Sequence, residues 1–242
     1  ETGPINAANV HRDVAAMFKY AAGDVVDLPR TFSPLLLTSP VPPVNARRFR
    51  RNPVTRNRVV MADRDVRRLS ELMAHPEDRL IILLSGYAAL RLGEVLALRR
   101  RHLKRDDDGT YWLTVDGQVQ ARGSGVRLET PKTEAGRRTI PVPAVIAADV
   151  VTHLRKHVDQ GADALVFPRH PGGADFHNPN TIGGRFRKAL ELLNAEKTAA
   201  AKKAGRTPAL VEDFTFHGLR HTALTRLGQA GATTAELKAY AG

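Results

Sequence analysis

Cysteine is absent from the 242-residue chain. That excludes a disulfide scaffold, thiol catalysis and thiolate metal sites, and it fits a reducing compartment. Aromatic residues are scarce, at 5% with a single Trp, which leaves few of the stacking platforms an RNA-binding module needs. Long apolar runs are missing as well. The strongest, residues 80–84, is far too short to span a bilayer, and the first residues do not resemble a secretory signal. The chain starts at Glu1 without an initiator Met, which predicts a fragment of a longer protein.

Negative charge is in the minority. Lys and Arg number 37 against 25 Asp and Glu, for a net charge of +12. Hydrophobic residues make up 42%, so a disordered polycation is excluded and a folded domain with a polyanionic partner is expected. The length predicts one large domain, or one domain with part of a second.

The excess charge is concentrated. Residues 47–68 hold nine Arg against Asp63 and Asp65, a net +7 of the +12. The preceding Ser39-Pro40-Val41-Pro42-Pro43 predicts an extended connector. A solvated flexible loop is the plain alternative. Arginines with few acids to neutralise them favour phosphate contact, by Arg47, Arg48, Arg50, Arg51, Arg56 and Arg58.

Periodicity orders the rest. Val10, Val14, Met17, Phe18 and Ala21 trace one amphipathic helix, so residues 1–50 read as the remnant of a helical domain leading into the linker. Asp63 is a candidate N-cap for a helix carrying Val66, Leu69, Leu72 and Met73, and Pro76 opens a very apolar one. Residues 111–115, 126–130 and 138–142 read as three short strands joined by Gly-containing turns. Helices are expected at 144–158, 180–196 and 217–230, with 196–206 a helical or flexible surface insertion. The fold class is α+β, mostly α, with a small three-stranded antiparallel sheet.

Three segments could carry chemistry. In Phe216-His217-Gly218-Leu219-Arg220-His221, the two His and Arg220 share one helix face. Zinc is disfavoured there, because a zinc-protease helix needs Glu where Gly218 stands. A guanidinium between imidazoles at a helix start suits a phosphate. Arg91 follows the apolar helix and should be partly buried, with Glu94 three residues on to hold it; an ordinary ion pair is the alternative. Lys132 begins a turn between two strands, where a lone Lys is usually just solvated.

Together these segments resemble the catalytic domain of the tyrosine recombinase, or phage integrase, family. ALRLGEVLAL (89–98) is similar to its first arginine box, TPKTEAGRRTIPVP (130–143) to its β-hairpin lysine segment, and FTFHGLRHTALTRLGQAGATTAELKAYAG (214–242) to its second box. The resemblance covers about residues 60–242. VHRDVAAMFKYA (10–21) resembles the last helix of the family's core-binding domain. It implies a core-binding remnant over 1–50 and a catalytic domain over 51–242 that together clamp DNA.

It further implies that Arg91 and Arg220 grip the scissile phosphate, Lys132 protonates the departing 5′-hydroxyl, and His217 assists proton transfer. Glu94 would orient Arg91, and His221 would support the box. No metal or other cofactor is implied. Where the family often has an aromatic and an Asp after the first box, this chain has Arg100 and His102, which are expected to add backbone contacts. The family's nucleophilic Tyr is expected beyond Gly242, with Tyr240 a packing residue, so the chain as given should hold a phosphate without cleaving.

The implied activity is site-specific DNA recombination through a 3′-phosphotyrosine. The implied partners are double-stranded DNA, further copies in a tetramer, and directionality or bending factors, without a membrane, in bacterial cytoplasm at the nucleoid. A type IB topoisomerase is the mechanistic rival. A DNA-binding regulator on a degenerate scaffold is the alternative from another class.

Overall fold

Apolar spacing converts into helices largely as the sequence predicts. The structure, a computed structural model, describes residues 4–24, 31, 33–41, 59–123, 125–130 and 136–242. Its contacts divide the chain into two units, Glu1–Asn57 and Arg58–Gly242. The first holds α1 (Pro4–Ala21), which ends at Gly23 in a left-handed conformation, φ 78°. Val10, Val14, Met17 and Phe18 on its apolar stripe stay exposed, since a lone amphipathic helix cannot cover its own stripe.

The second unit is built around α3 (Arg79–Tyr87), in which every residue from Leu80 to Tyr87 is buried. A helix apolar on all sides belongs at the centre, and α3 packs against α2 (Asp63–Glu71), α4 (Leu92–Leu96), α5 (Ala144–His157) and α7 (Phe216–Gln229). The remaining helices are α6 (Pro179–Lys203) and α8 (Thr234–Ala241). Ile182, Phe186, Ala189, Leu190 and Leu193 turn inward along α6, which Asn178 caps by accepting from the Asn180 amide at 2.9 Å. Residues 196–203 continue this helix.

The three-stranded antiparallel sheet has the order β1 (Leu103–Arg105), β2 (Tyr111–Val115), β5 (Arg138–Pro141). Leu103 faces Leu113, and Leu113 faces Ile140, all on the buried side. This membership differs from expectation. The strand expected near 126–130 is β4 (Gly125–Glu129), which pairs with β3 (Gln118–Arg122) in a separate ribbon. In β3 only Val119 is a large apolar residue, and β1 has three residues, so neither shows enough alternation to read. β4 and β5 therefore belong to separate sheets and do not pair with each other.

Asp63 departs from expectation too. Ala62 holds the cap position of α2, while the Asp63 carboxylate accepts from the Tyr87 hydroxyl (2.7 Å) and Arg226 (3.3 Å). Tertiary partners took the side chain that local pattern assigned to the helix end.

Candidate active site

Two chain turns bring the arginines together. α3 ends at Tyr87, and the chain turns at Ala89, a non-glycine residue at φ 58°, where a Cβ is disfavoured by about 1 kcal/mol. The turn aims the Ala89 carbonyl at Arg220 Nη1, 2.6 Å away, and places Arg91 at the start of α4. Gly93 lets α4 lie directly on β3: a Cβ there would stand 2.5 Å from the Val119 carbonyl oxygen. On α7, Gly218 leaves room for the Phe214 ring, and Leu219, Arg220, Thr222 and Ala223 face inward.

Glu94 is the hub. Its carboxylate accepts from the Arg91 backbone amide (2.8 Å) and Arg91 Nη1 (2.7 Å). It also accepts from both terminal nitrogens of Arg138, at 3.1 and 2.8 Å, and lies 3.7 Å from Arg220 Nη1. Glu94, Arg138 and Arg220 are buried, whereas the Arg91 side chain is 42% exposed. Three guanidinium charges against one carboxylate leave a net +2.

The electrostatics follow from this packing. Burial alone would raise the Glu94 carboxyl, but the bonds and charge of Arg138, then those of Arg91, hold it below its ordinary value. Burial, with Arg91 and Arg138 adding repulsion, pushes the Arg220 guanidinium down to about 10, against the attraction of Glu94. Arg220 Nη2 also donates to the Ala241 carbonyl, so its bonded partners are neutral dipoles. A cation held this way gains from an arriving anion.

His217 is exposed on the first turn of α7, and its ring meets that of His221 edge to face at 4.7 Å. Arg91, Glu94 and Arg220 are thus gathered, and His217 and His221 lie on the helix that carries Arg220. Lys132 lies outside the described residues, as do Arg47, Arg48, Arg50, Arg51, Arg56 and Arg58. Arg100, expected to add a backbone contact, is engaged inside the fold, as are Arg67 and Arg68 of the Arg-rich stretch. Arg67 binds Asp149 at 2.7 Å, Arg68 binds Glu196 and Glu71, and Arg100 donates to the carbonyls of Leu154, Val158 and Asp159. His102 is buried, accepting from the Arg99 amide on Nδ1. Arg100 and His102 therefore act as structural ties, because a helix C-terminus and a buried turn supply their partners.

Arg138 was missed in the sequence, though a signal exists. It stands two residues from Ile140 on β5 and so shares its inward face, where a guanidinium needs a buried acid. Tyr240 packs against the core and donates its hydroxyl to the Pro141 carbonyl at 3.2 Å. A cleft of about 500 Å³ lined by Glu77, Arg155, Phe167 and His177 includes none of the gathered arginines.

The sequence pattern of the phage integrase family matches residues 60–242 of the chain. The chain belongs to the phage integrase family. It is 32% identical over 156 residues to a putative prophage phiRv2 integrase of Mycobacterium tuberculosis, covering 64% of this chain and 36% of that protein. It is 28% identical over 197 residues to the integrase of Mycobacterium phage FRAT1, covering 77% and 53%. The matches thus span about a third to a half of these relatives. The fold resembles the Tn1549 transposon integrase in complex with circular intermediate DNA, with TM-score 0.66 and 20% identity over 99% of this chain and 72% of that one. It also resembles the XerH site-specific recombinase bound to palindromic difH substrate, with TM-score 0.53 and 14% identity over 99% and 61%. Among the described residues, no helix of this integrase-family chain is long and apolar enough to cross a membrane.

Proposed function

We propose that the chain is part of a site-specific DNA recombinase that binds duplex DNA and exchanges strands through a 3′-phosphotyrosine. The observation that carries this is the cluster of Arg91, Arg138 and Arg220 around one carboxylate, with a net positive charge open on the Arg91 side. Arg91 and Arg220 take the non-bridging oxygens of the scissile phosphate and meet the charge that grows in the pentacovalent transition state. A tyrosine hydroxyl attacks phosphorus and the 5′-oxygen departs with a proton from Lys132. His217 handles the nucleophile's proton and bonds the phosphate, while Glu94 and His221 hold the arginine side. The guanidinium groups carry the charge stabilisation, so the reaction needs no metal.

The nucleophile lies outside residues 1–242. Tyr87 and Tyr240 engage their hydroxyls with Asp63 and Pro141, Tyr111 is on β2, and Tyr20 is on α1. Residues 1–242 alone therefore bind DNA without forming a covalent link. Residues 1–50 belong to a core-binding domain and 51–242 to the catalytic domain. Arg47, Arg48, Arg50, Arg51, Arg56 and Arg58 follow the DNA backbone between them, in a homotetramer served by bending or directionality factors at the nucleoid.

Two measurements test this. Duplex binding by residues 1–242 should weaken steeply with salt, and neutralising those six arginines should flatten the slope by roughly one for each phosphate left without its arginine. The full-length protein, given a nicked duplex bearing a site selected from a random library, should form a covalent adduct that Arg220→Ala abolishes. Salt-dependent binding without any adduct would leave a DNA-binding regulator on a recombinase scaffold. Binding indifferent to salt would remove the linker's role.

A further inference from the structure

The structure assigns to Arg138 a role as a positioning residue, one that sets the direction of the Arg91 guanidinium through Glu94; the catalytic consequence rests on the function proposed above. An ionised carboxylate offers about four lone-pair sites. On Glu94 four donors fill them: the Arg91 amide, Arg91 Nη1, and Arg138 Nη1 and Nη2. The two arginines approach from different elements, Arg91 from the start of α4 and Arg138 from the first residue of β5.

The fork of Arg138 fixes the carboxylate plane, because two parallel N–H donors admit one orientation where a single donor admits many. Arg91 depends on that plane. Its side chain is partly exposed, and Nη1 to Glu94 is the bond that ties its guanidinium to the protein among the described residues. With the plane fixed, the other guanidinium nitrogens point in one direction. Without it, the guanidinium turns about its own axis.

Arg138 differs from Arg220 in its charge pairing rather than in burial. Both are buried, but Arg138 is matched by Glu94 at hydrogen-bond distance, while Arg220 bonds carbonyls and stands 3.7 Å from the same carboxylate. Arg138 therefore acts through Glu94, not on the phosphate. Val115 and Arg138 are paired across β2 and β5, so the sheet itself holds the fork in place.

The test uses Arg138→Lys, which keeps the charge and removes the fork. In residues 1–242, carbon-detected NMR follows rotation of the Arg91 guanidinium about its Nε–Cζ bond, with the signal identified by its loss in Arg91→Lys. Arg138→Lys should speed rotation at least about tenfold, the factor corresponding to a charge-assisted hydrogen bond. In the full-length protein it should slow adduct formation about tenfold with duplex affinity within about twofold. Arg91→Lys combined with Arg138→Lys should then be no slower than Arg91→Lys alone by more than about twofold, since both act on one device.

Unchanged rotation, or rate losses that multiply in the double variant, would overturn the assignment. Faster rotation in a full-length protein whose wild type forms no adduct would keep the positioning contact and remove the recombinase reading instead. If Arg138→Lys does not fold, Arg138→Gln, which keeps a single donor nitrogen and so also lacks the fork, serves with the same expectations.

Discussion

Glu94→Gln removes the charge at the centre of the arginine cluster while keeping the side chain's size. The carboxylate receives four hydrogen bonds, two of them from a buried guanidinium. The amide can accept on its oxygen only, and its NH2 meets donors of Arg91 or Arg138. Breaking a buried pair by neutralising one partner costs about 3–5 kcal/mol, because the remaining charge stays buried without its counter-charge. Glu94 also lies 3.7 Å from Arg220, so a second buried cation loses a nearby anion. Urea unfolding followed by circular dichroism at about pH 7 should therefore show a loss of roughly 3–5 kcal/mol, or about 6–20 °C in thermal midpoint for a unit of this size.

The pH dependence adds a second constraint. Glu94 is held below its ordinary 4.5, so its stabilisation is complete above 4.5 and lost as pH falls through the folded value. The gap between wild type and Glu94→Gln should accordingly shrink below 4.5. A loss under about 1 kcal/mol at neutral pH, typical of exposed pairs, would refute the reasoning, as would a gap that stays constant in acid.

Gly93→Ala should destabilise by about 1–3 kcal/mol, because the new Cβ meets the Val119 carbonyl oxygen at 2.5 Å and neither backbone can yield alone; helix propensity by itself predicts a gain of about 1 kcal/mol, so unfolding free energies separate the two. Burial pushes the His153 imidazole down to about 4 from 6.5, with the Val166 carbonyl bonded to its Nε2 at 2.8 Å. Its contribution is complete above pH 6.5 and lost as pH falls from 6.5 to about 4. His153→Gln should remove about 3 kcal/mol of that acid sensitivity in urea titrations across this range, and an unaltered pH profile would exclude His153 as its source.

Much of the architecture is legible from spacing. α3 is readable because five consecutive large aliphatics leave no polar face, and α7 because its box sits between Phe214 and Gly231 at helical spacing. Strands fail where the pattern is short: β1 and β3 bury one large apolar residue each, and pairing partners supply what propensity does not. Arg67, Arg68 and Arg100 show the same limit for charge. Counted along the chain they are spare cations; folded, they bind Asp149, Glu196 and three carbonyls at the end of α5.

The candidate site divides along that line. Residue types and intervals along the chain single out Arg91, Glu94, His217, Arg220 and His221 as candidates, since each box is local. The convergence of Arg91, Arg138 and Arg220 on one carboxylate depends on hydrogen bonds that span 44 residues between Arg138 and Glu94 and 131 between Arg220 and Ala89. Such bonds exist only once the turn at Ala89, the close approach at Gly93 and the register of β5 are formed together. Folding thereby made a loose surplus of positive charge into a cluster of three cations and one anion, two of the cations buried, because a low-dielectric interior tolerates a charge only where hydrogen-bond partners meet it.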